Sequence, residues 1–293
     1  MGDQVIARSQ AILEAGSKTF TRAASLLPRP VREAGYQLYA WCRHCDDQID
    51  GQTLGHGQRA RESIADQRAR LAELRAKTAA ALEGRPVSEL PFVGLQRVVR
   101  DFQIPHKYPL ALLDGMEMDV EGSRYPTFES LIPYCYKVAG VVGIMALHLM
   151  GTRDAESIEH AGELGIGIQL TNIARDVVDD AAAGRFYLPE DWLSDAGIPP
   201  DGLADPSKRG AVVGVVARLL DRADDYYVRA EGGLSRLDFR SAWAVAAARG
   251  IYSDIGRVIR RKGTAAWDTR AFVSTPRKAY RMIWALRRAL GRA

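Results

Sequence analysis

The chain has 293 residues, of which 47% are hydrophobic and 26% charged, and its formal net charge is +4. This is enough apolar material for a sizeable core at an ordinary charge density, which excludes a disordered or fibrous chain. Lys and Arg alternate with Asp and Glu along most of the sequence, so the concentrated basic module of a nucleic-acid binder is absent and no nucleic-acid partner is expected.

In chain order, residues 1–16 carry Asp3, Arg8 and Glu14 and hold no apolar signal core. Val31, Leu38, Trp41, Cys45 and Ile49 recur at near-helical steps, and the stretches 58–83, 127–150, 154–181, 208–233 and 239–262 read the same way. Breakers separate them at 28–30, 51–57, 84–86, 122–126 and 197–206. No run of alternating β-branched residues with hairpin turns occurs. The expectation is an all-α fold in a single domain over 1–293. The three cysteines, Cys42, Cys45 and Cys135, give no disulfide framework and suit a reducing cytoplasm. The longest apolar run, 138–150, contains His148 and is shorter than the roughly 20 residues that span a bilayer, so a soluble or peripheral protein is expected.

Two helical segments concentrate acids. In residues 39–50, Tyr39, Arg43, Asp46 and Asp50 share one stripe at steps of four, three and four. Asp46 and Asp50 repel on that stripe, at a helix end whose partial charge is already negative. In residues 169–180, Gln169, Asn172, Asp176 and Asp180 form a second stripe at steps of three, four and four. One such stripe reads equally well as a solvated helix end. Two suggest helices facing each other across a cavity, with oxygen ligands for hard divalent ions that would bridge to a diphosphate. Glycines at 140, 143, 162, 165 and 167 read as leaving room for something long and apolar near those ions, with tight helix packing as the alternative. Cys42 and Cys45 read as core packing, since no second cysteine pair completes a zinc site.

These segments resemble the squalene/phytoene synthase family, most closely its bacterial phytoene synthase branch. The resemblance runs through Gly16-Ser17-Lys18-Thr19-Phe20, residues 39–50, 134–143, 169–180, and Arg185-Phe186-Tyr187-Leu188-Pro189. It implies a helical prenyl synthase that condenses two geranylgeranyl diphosphates head to head to phytoene through a cyclopropylcarbinyl diphosphate. A C15 substrate giving dehydrosqualene, or a presqualene diphosphate/squalene synthase, is the alternative. By the same resemblance, Mg²⁺ or Mn²⁺ is held by Asp46 and Asp50 from one helix and by Asn172, Asp176 and Asp180 from the other. Gly16, Ser17, Lys18, Thr19, Tyr39, Arg43, Gln169 and Arg175 would contact the diphosphates. Tyr187, Tyr252 and Arg270 would lie near the reacting centre or the phosphates. Phe20, Val138, Val142 and Gly143 would line the prenyl channels. No NAD(P)H is expected, because in phytoene synthases the last cation loses a proton where the squalene branch accepts hydride.

The tail from 277 to 293 holds six basic residues, Arg277, Lys278, Arg281, Arg287, Arg288 and Arg292, and no acids, with Ile283, Trp284 and Leu286 interleaved. It reads as an amphipathic helix able to rest on an anionic membrane surface, or as a solvated basic tail with a few packing contacts.

Overall fold

Capping side chains set where the first helices start. Ser17 follows α1 (Gly2–Gly16), and its Oγ accepts the Phe20 N–H at 3.2 Å, which starts α2 (Lys18–Ala24). α3 (Arg29–Asp50) takes Pro30 in its first turn, where the missing N–H is no loss, so residues expected to break a helix instead begin one. It ends at Gly51, in the left-handed region at φ 63°. α4 (Ile64–Leu82), α5 (Leu90–Phe102) and α6 (Lys107–Val120) follow. The computed structural model describes residues 2–51, 63–199 and 201–291. Residues 52–57 of one expected breaker, 58–62 of one expected helix, Pro200 and Arg292 therefore lie outside the described residues.

Thr127 and Ser130 cap each other reciprocally at the start of α7 (Phe128–Cys135). The helix then widens into a π turn, Tyr136–Gly140, and continues as α8 (Val141–Leu149). This continuous 22-residue segment is long and apolar enough, by composition, to cross a membrane. Here it packs inside the protein, with Val141, Ile144 and Met145 buried. Asp154 caps α9 (Ala155–Ala182) by accepting the Ser157 N–H at 3.0 Å. Then come α10 (Glu190–Asp195), α11 (Arg209–Arg229), a 3₁₀ segment at Ala230–Arg236, α12 (Phe239–Lys262) and α13 (Thr275–Leu290). No strand occurs among the described residues, and the all-α expectation holds.

Two large apolar clusters form. One joins α7, α9, α11 and α12 around Leu170, Ile173, Leu219 and Ile251. The other joins α3, α4, α5, α6 and α8 around Trp41, Phe92, Leu113 and Met145. Cys42 and Cys45 are free and buried beside Trp41, as the packing reading expected. Val138, in the π turn, packs against both clusters, so the space between them is where that turn points.

Two expectations are corrected. The glycines of α8 and α9 do not leave open room: a Cβ on Gly165 of α9 would lie 2.3 Å from the Ala139 carbonyl oxygen, and one on Gly143 of α8 would lie 2.5 Å from that of Ala161. They bring the π turn and α8 against α9 backbone to backbone. The tail is not simply solvated. Arg281 is buried, and together with Arg277 it forks onto Asp254 of α12 at 2.5–3.2 Å. Trp284 turns inward over Gly250.

Candidate active site

A cavity of about 1020 Å³ runs between the two clusters. One end is acidic and basic together, and the rest is mainly apolar. All the residues expected to bind metal or substrate, from Gly16 to Arg270, line it.

α3 and α9 bring their acidic stripes to the same end. Arg185, just past α9, joins them: its Nη1 donates to Asp50 Oδ1 at 2.7 Å, and its Nη2 lies 3.5 Å from Asp180 Oδ1. Asp46 sits within 3.9 Å of Arg43, whose guanidinium also approaches the Tyr39 hydroxyl at 3.4 Å. Asp176 accepts from Arg175 at 2.5–2.9 Å and from Arg270 at 3.1–3.2 Å. The Asn172 amide donates weakly to Gln169 Oε1 at 3.4 Å, while its own Oδ1 is buried without a hydrogen-bond partner.

The electrostatics separate these acids. Burial pushes Asp46 and Asp180 up to about 7, only partly offset by Arg43 and Arg185, and neighbouring carboxylates add to the rise. Asp46 keeps 43% of its side-chain surface accessible because it faces the cavity, yet protein encloses it, so desolvation still dominates. Asp50 is raised by burial as well. For Asp176 burial also opposes ionisation, but Arg175 and Arg270 override it and hold the carboxyl below its usual range.

Several expected contacts also do structural work. A Cβ at Gly16 would lie 2.5 Å from the Tyr39 hydroxyl, so the glycine seats that phenol. Ser17 caps α2, and Thr19 is buried. The Phe20 ring stands 6.3 Å from Tyr39 and 5.6 Å from Tyr252, forming an aromatic wall. Val138, Val142 and Gly143 lie along the apolar part.

Three groups were not singled out from the sequence. Arg185 was read within its motif but given no role. Asp119 of α6 accepts the Tyr187 hydroxyl at 2.8 Å and the Tyr134 hydroxyl at 3.0 Å, and burial pushes it up to about 7. The signal for it was legible: Leu112, Met116 and Asp119 follow helical steps, so a carboxylate continues an apolar stripe. Lys278 was counted as tail charge, but it lines the cavity, and burial lowers its pKa with help from Arg22 and Lys18.

The oxygen donors available to a divalent cation are Asp46, Asp50, Asn172, Asp176 and Asp180. No three acidic, His or Cys side chains among the described residues are close enough to cage an ion by themselves. The donors therefore fit a metal that takes few protein ligands and completes its shell with phosphate oxygens, as Mg²⁺ does. The unpartnered Asn172 oxygen supports the same reading.

An all-helical shell around an apolar cavity with acids and guanidinium groups at one end defines an enzyme for substrates with a phosphate head and a hydrocarbon tail. The chain belongs to the squalene/phytoene synthase family, whose profile matches residues 13–277. It is 46% identical over 265 residues to a phytoene synthase of Pseudescherichia vulneris, covering 90% of this chain and 85% of that one. It is 45% identical to a 15-cis-phytoene synthase of a Paracoccus species, over 95% and 89% of the two chains. Among solved structures it is similar to a dehydrosqualene synthase in complex with ligand, with a TM-score of 0.86, 27% identity, and 97% and 96% coverage. A squalene synthase of Alicyclobacillus acidocaldarius shares the fold, with a TM-score of 0.75 over 89% and 94% of the two chains.

Proposed function

We propose that this enzyme condenses two molecules of geranylgeranyl diphosphate head to head, first to a cyclopropylcarbinyl diphosphate and then to phytoene. The observation that carries the reading is the convergence of two acidic helices and six cationic side chains, Lys18, Arg43, Arg175, Arg185, Arg270 and Lys278, on one largely apolar cavity. A divalent metal, Mg²⁺ or Mn²⁺, held by Asp46, Asp50, Asn172, Asp176 and Asp180, supplies positive charge to the departing diphosphate.

The side chains account for the rest. Arg43, Arg175 and Arg270, with Lys18 and Lys278, hold the phosphates of the two substrates. When the first C–O bond breaks, its electron pair leaves with the diphosphate and an allylic cation remains. Phe20, Tyr39 and Tyr252 present π faces to that cation, and the apolar wall keeps water from quenching it. A double bond of the second prenyl chain attacks it, and loss of a proton closes the cyclopropane. The second C–O bond then breaks, the skeleton rearranges, and loss of a proton leaves a central conjugated triene. Tyr187 and Tyr134, both bound to Asp119, fix the polar wall beside these steps. Tyr252 lies at the boundary between phosphates and channel.

The test is incubation with geranylgeranyl diphosphate and Mg²⁺, with and without NADPH, followed by hydrocarbon extraction. A C40 triene whose yield NADPH does not change is expected. Arrest at the cyclopropyl diphosphate until NADPH is supplied would place the chain in the squalene branch. Asp46→Asn or Asp176→Asn should each remove most turnover while the fold survives.

The outward face of α13 supports peripheral membrane contact from the cytoplasmic side. Tyr280, Ile283 and Leu290 are exposed along it, Phe272 is exposed at the cavity edge, and Arg287 and Arg288 flank them. Ile283→Asp should weaken binding to anionic liposomes at low salt, whereas equal binding by the variant would leave the solvated reading of this face.

A further inference from the structure

One face of α9 lines the cavity from end to end. Ser157, His160, Leu164, Ile168, Asn172 and Asp176 follow steps of three and four, and all border the cavity. The helix is therefore a scale laid along the channel. At 1.5 Å per residue, Leu164 lies about 12 Å and His160 about 18 Å below Asn172. A geranylgeranyl chain has sixteen carbons in its backbone and a farnesyl chain twelve. Extended, with C–C bonds near 1.5 Å, they reach about 19 Å and about 14 Å. A C20 chain whose head lies at Asn172 ends at His160, and a C15 chain ends a turn short of it.

His160 is built in as a wall at that depth. A Cβ on Gly232 would lie 2.7 Å from its Nε2, and one on Gly233 would lie 2.8 Å from its own Cβ, so the glycine pair forms the seat on which the imidazole rests. Its Nδ1 lies 3.3 Å from Glu163 Oε2, and the other oxygen of that carboxylate accepts from Arg229 Nε at 2.6 Å. The ring is thus held by a charged pair, with Glu156 Oε1 3.9 Å from its Nε2, and the residue borders the channel. One turn further Ser157 also borders the cavity, buried and with a hydroxyl that has no hydrogen-bond partner, so the space that His160 closes to the chain continues past it.

We propose that His160, seated on Gly232 and Gly233 and held by Glu163, is the end stop that sets the longest prenyl chain this channel admits. The position is specificity-determining: it discriminates by steric length, and the chemistry at the aspartates is the same for every chain that fits. The inference rests on the condensation reading above and deepens it by naming what limits the substrate.

The experiment is a competition among C15, C20 and C25 prenyl diphosphates with Mg²⁺, reading the ratio of kcat/KM for each pair. His160→Ala should raise the C25 to C20 ratio at least about tenfold, the scale of discrimination a pocket achieves through a few carbon atoms. His160→Gln, which restores length, should keep the wild-type limit. Ala161→Phe, which fills the channel one position nearer the aspartates, should shift the C20 to C15 ratio towards C15 by a similar factor. An unchanged C25 to C20 ratio in folded His160→Ala overturns the proposal. Should that variant fail to fold, an unchanged C20 to C15 ratio in Ala161→Phe overturns it instead. Absence of condensation by the wild-type enzyme at every length would sink the condensation reading itself, which separates the two failures.

Discussion

Arg185 Nη1 lies 2.7 Å from Asp50 Oδ1, although 135 positions separate the two residues in the chain. The same guanidinium lies 3.5 Å from Asp180, so one cation ties the end of the first acidic helix to the end of the second. Its own Nε is buried and has no partner. A bridging arginine stabilises two carboxylates that would otherwise repel, and it must share them once a cation and a phosphate arrive.

Arg185→Gln should therefore have two effects. Without its charge, burial and mutual repulsion push Asp50 and Asp180 further up, and the site should need more Mg²⁺. Turnover should fall about 10²-fold or more, as it does when a fixed charge is removed from a developing anion. Titrating activity against Mg²⁺ checks both. A variant with wild-type turnover and unchanged Mg²⁺ dependence would reduce Arg185 to a structural link.

Both acidic stripes were legible from spacing alone, because three- and four-residue steps dictate a shared helical face. The glycines were ambiguous for a physical reason: a missing side chain permits either a void or a close approach, and only the neighbouring backbone decides. At Gly165 it decides for close approach. Gly165→Ala places a methyl 2.3 Å from a carbonyl oxygen of the π turn, and should cost about 1–3 kcal/mol by overpacking. Because that turn carries Val138, the variant should also lose activity out of proportion to its stability. Denaturant midpoints beside specific activity measure both, and an unchanged midpoint would mean that the turn yields freely.

In the tail, the partners of Arg277 and Arg281 were not legible, because a basic run looks the same whether its charges face water or a buried acid. Asp254 lies on the buried face of α12, and of its three arginine partners only Arg257, three positions on, belongs to the same helix; the other two come from α13. Asp254 is almost fully buried and accepts from Arg257, Arg277 and Arg281. Burial alone would raise its pKa, but the arginines pull it far below the usual range. Its contribution is present above the unfolded value near 3.9 and is lost as the pH falls below it. Asp254→Ala strands a buried Arg281 and should cost about 3–5 kcal/mol at neutral pH, with the deficit shrinking in acid. Urea melts at pH 7 and at pH 3 test this, and equal deficits at both would refute the ionic account.

Asp119 has the opposite sign. Its folded pKa is raised to about 7 by burial, with Asp50 adding repulsion, while the two tyrosine hydroxyls offset only part of the rise. Between roughly pH 4, the unfolded value, and pH 7 the folded protein holds a proton that the unfolded chain has released. Stability from this group is complete below that window and is lost as the pH rises through it. Asn mimics the protonated carboxyl in shape and can still accept a hydrogen bond through its Oδ1 from one of the two phenols. Relative to wild type, Asp119→Asn should therefore be least stable near pH 5 and should gain steadily up to pH 8. Taking the difference between the two proteins removes other titrating groups, among them His44 and His148, whose burial-lowered pKa values act in the reverse direction. Thermal midpoints of both proteins in matched buffers from pH 5 to pH 8 give the curve. A difference that stays flat, or that falls as the pH rises, would mean that Asp119 is ionised in the folded protein throughout and that the two phenols outweigh its desolvation.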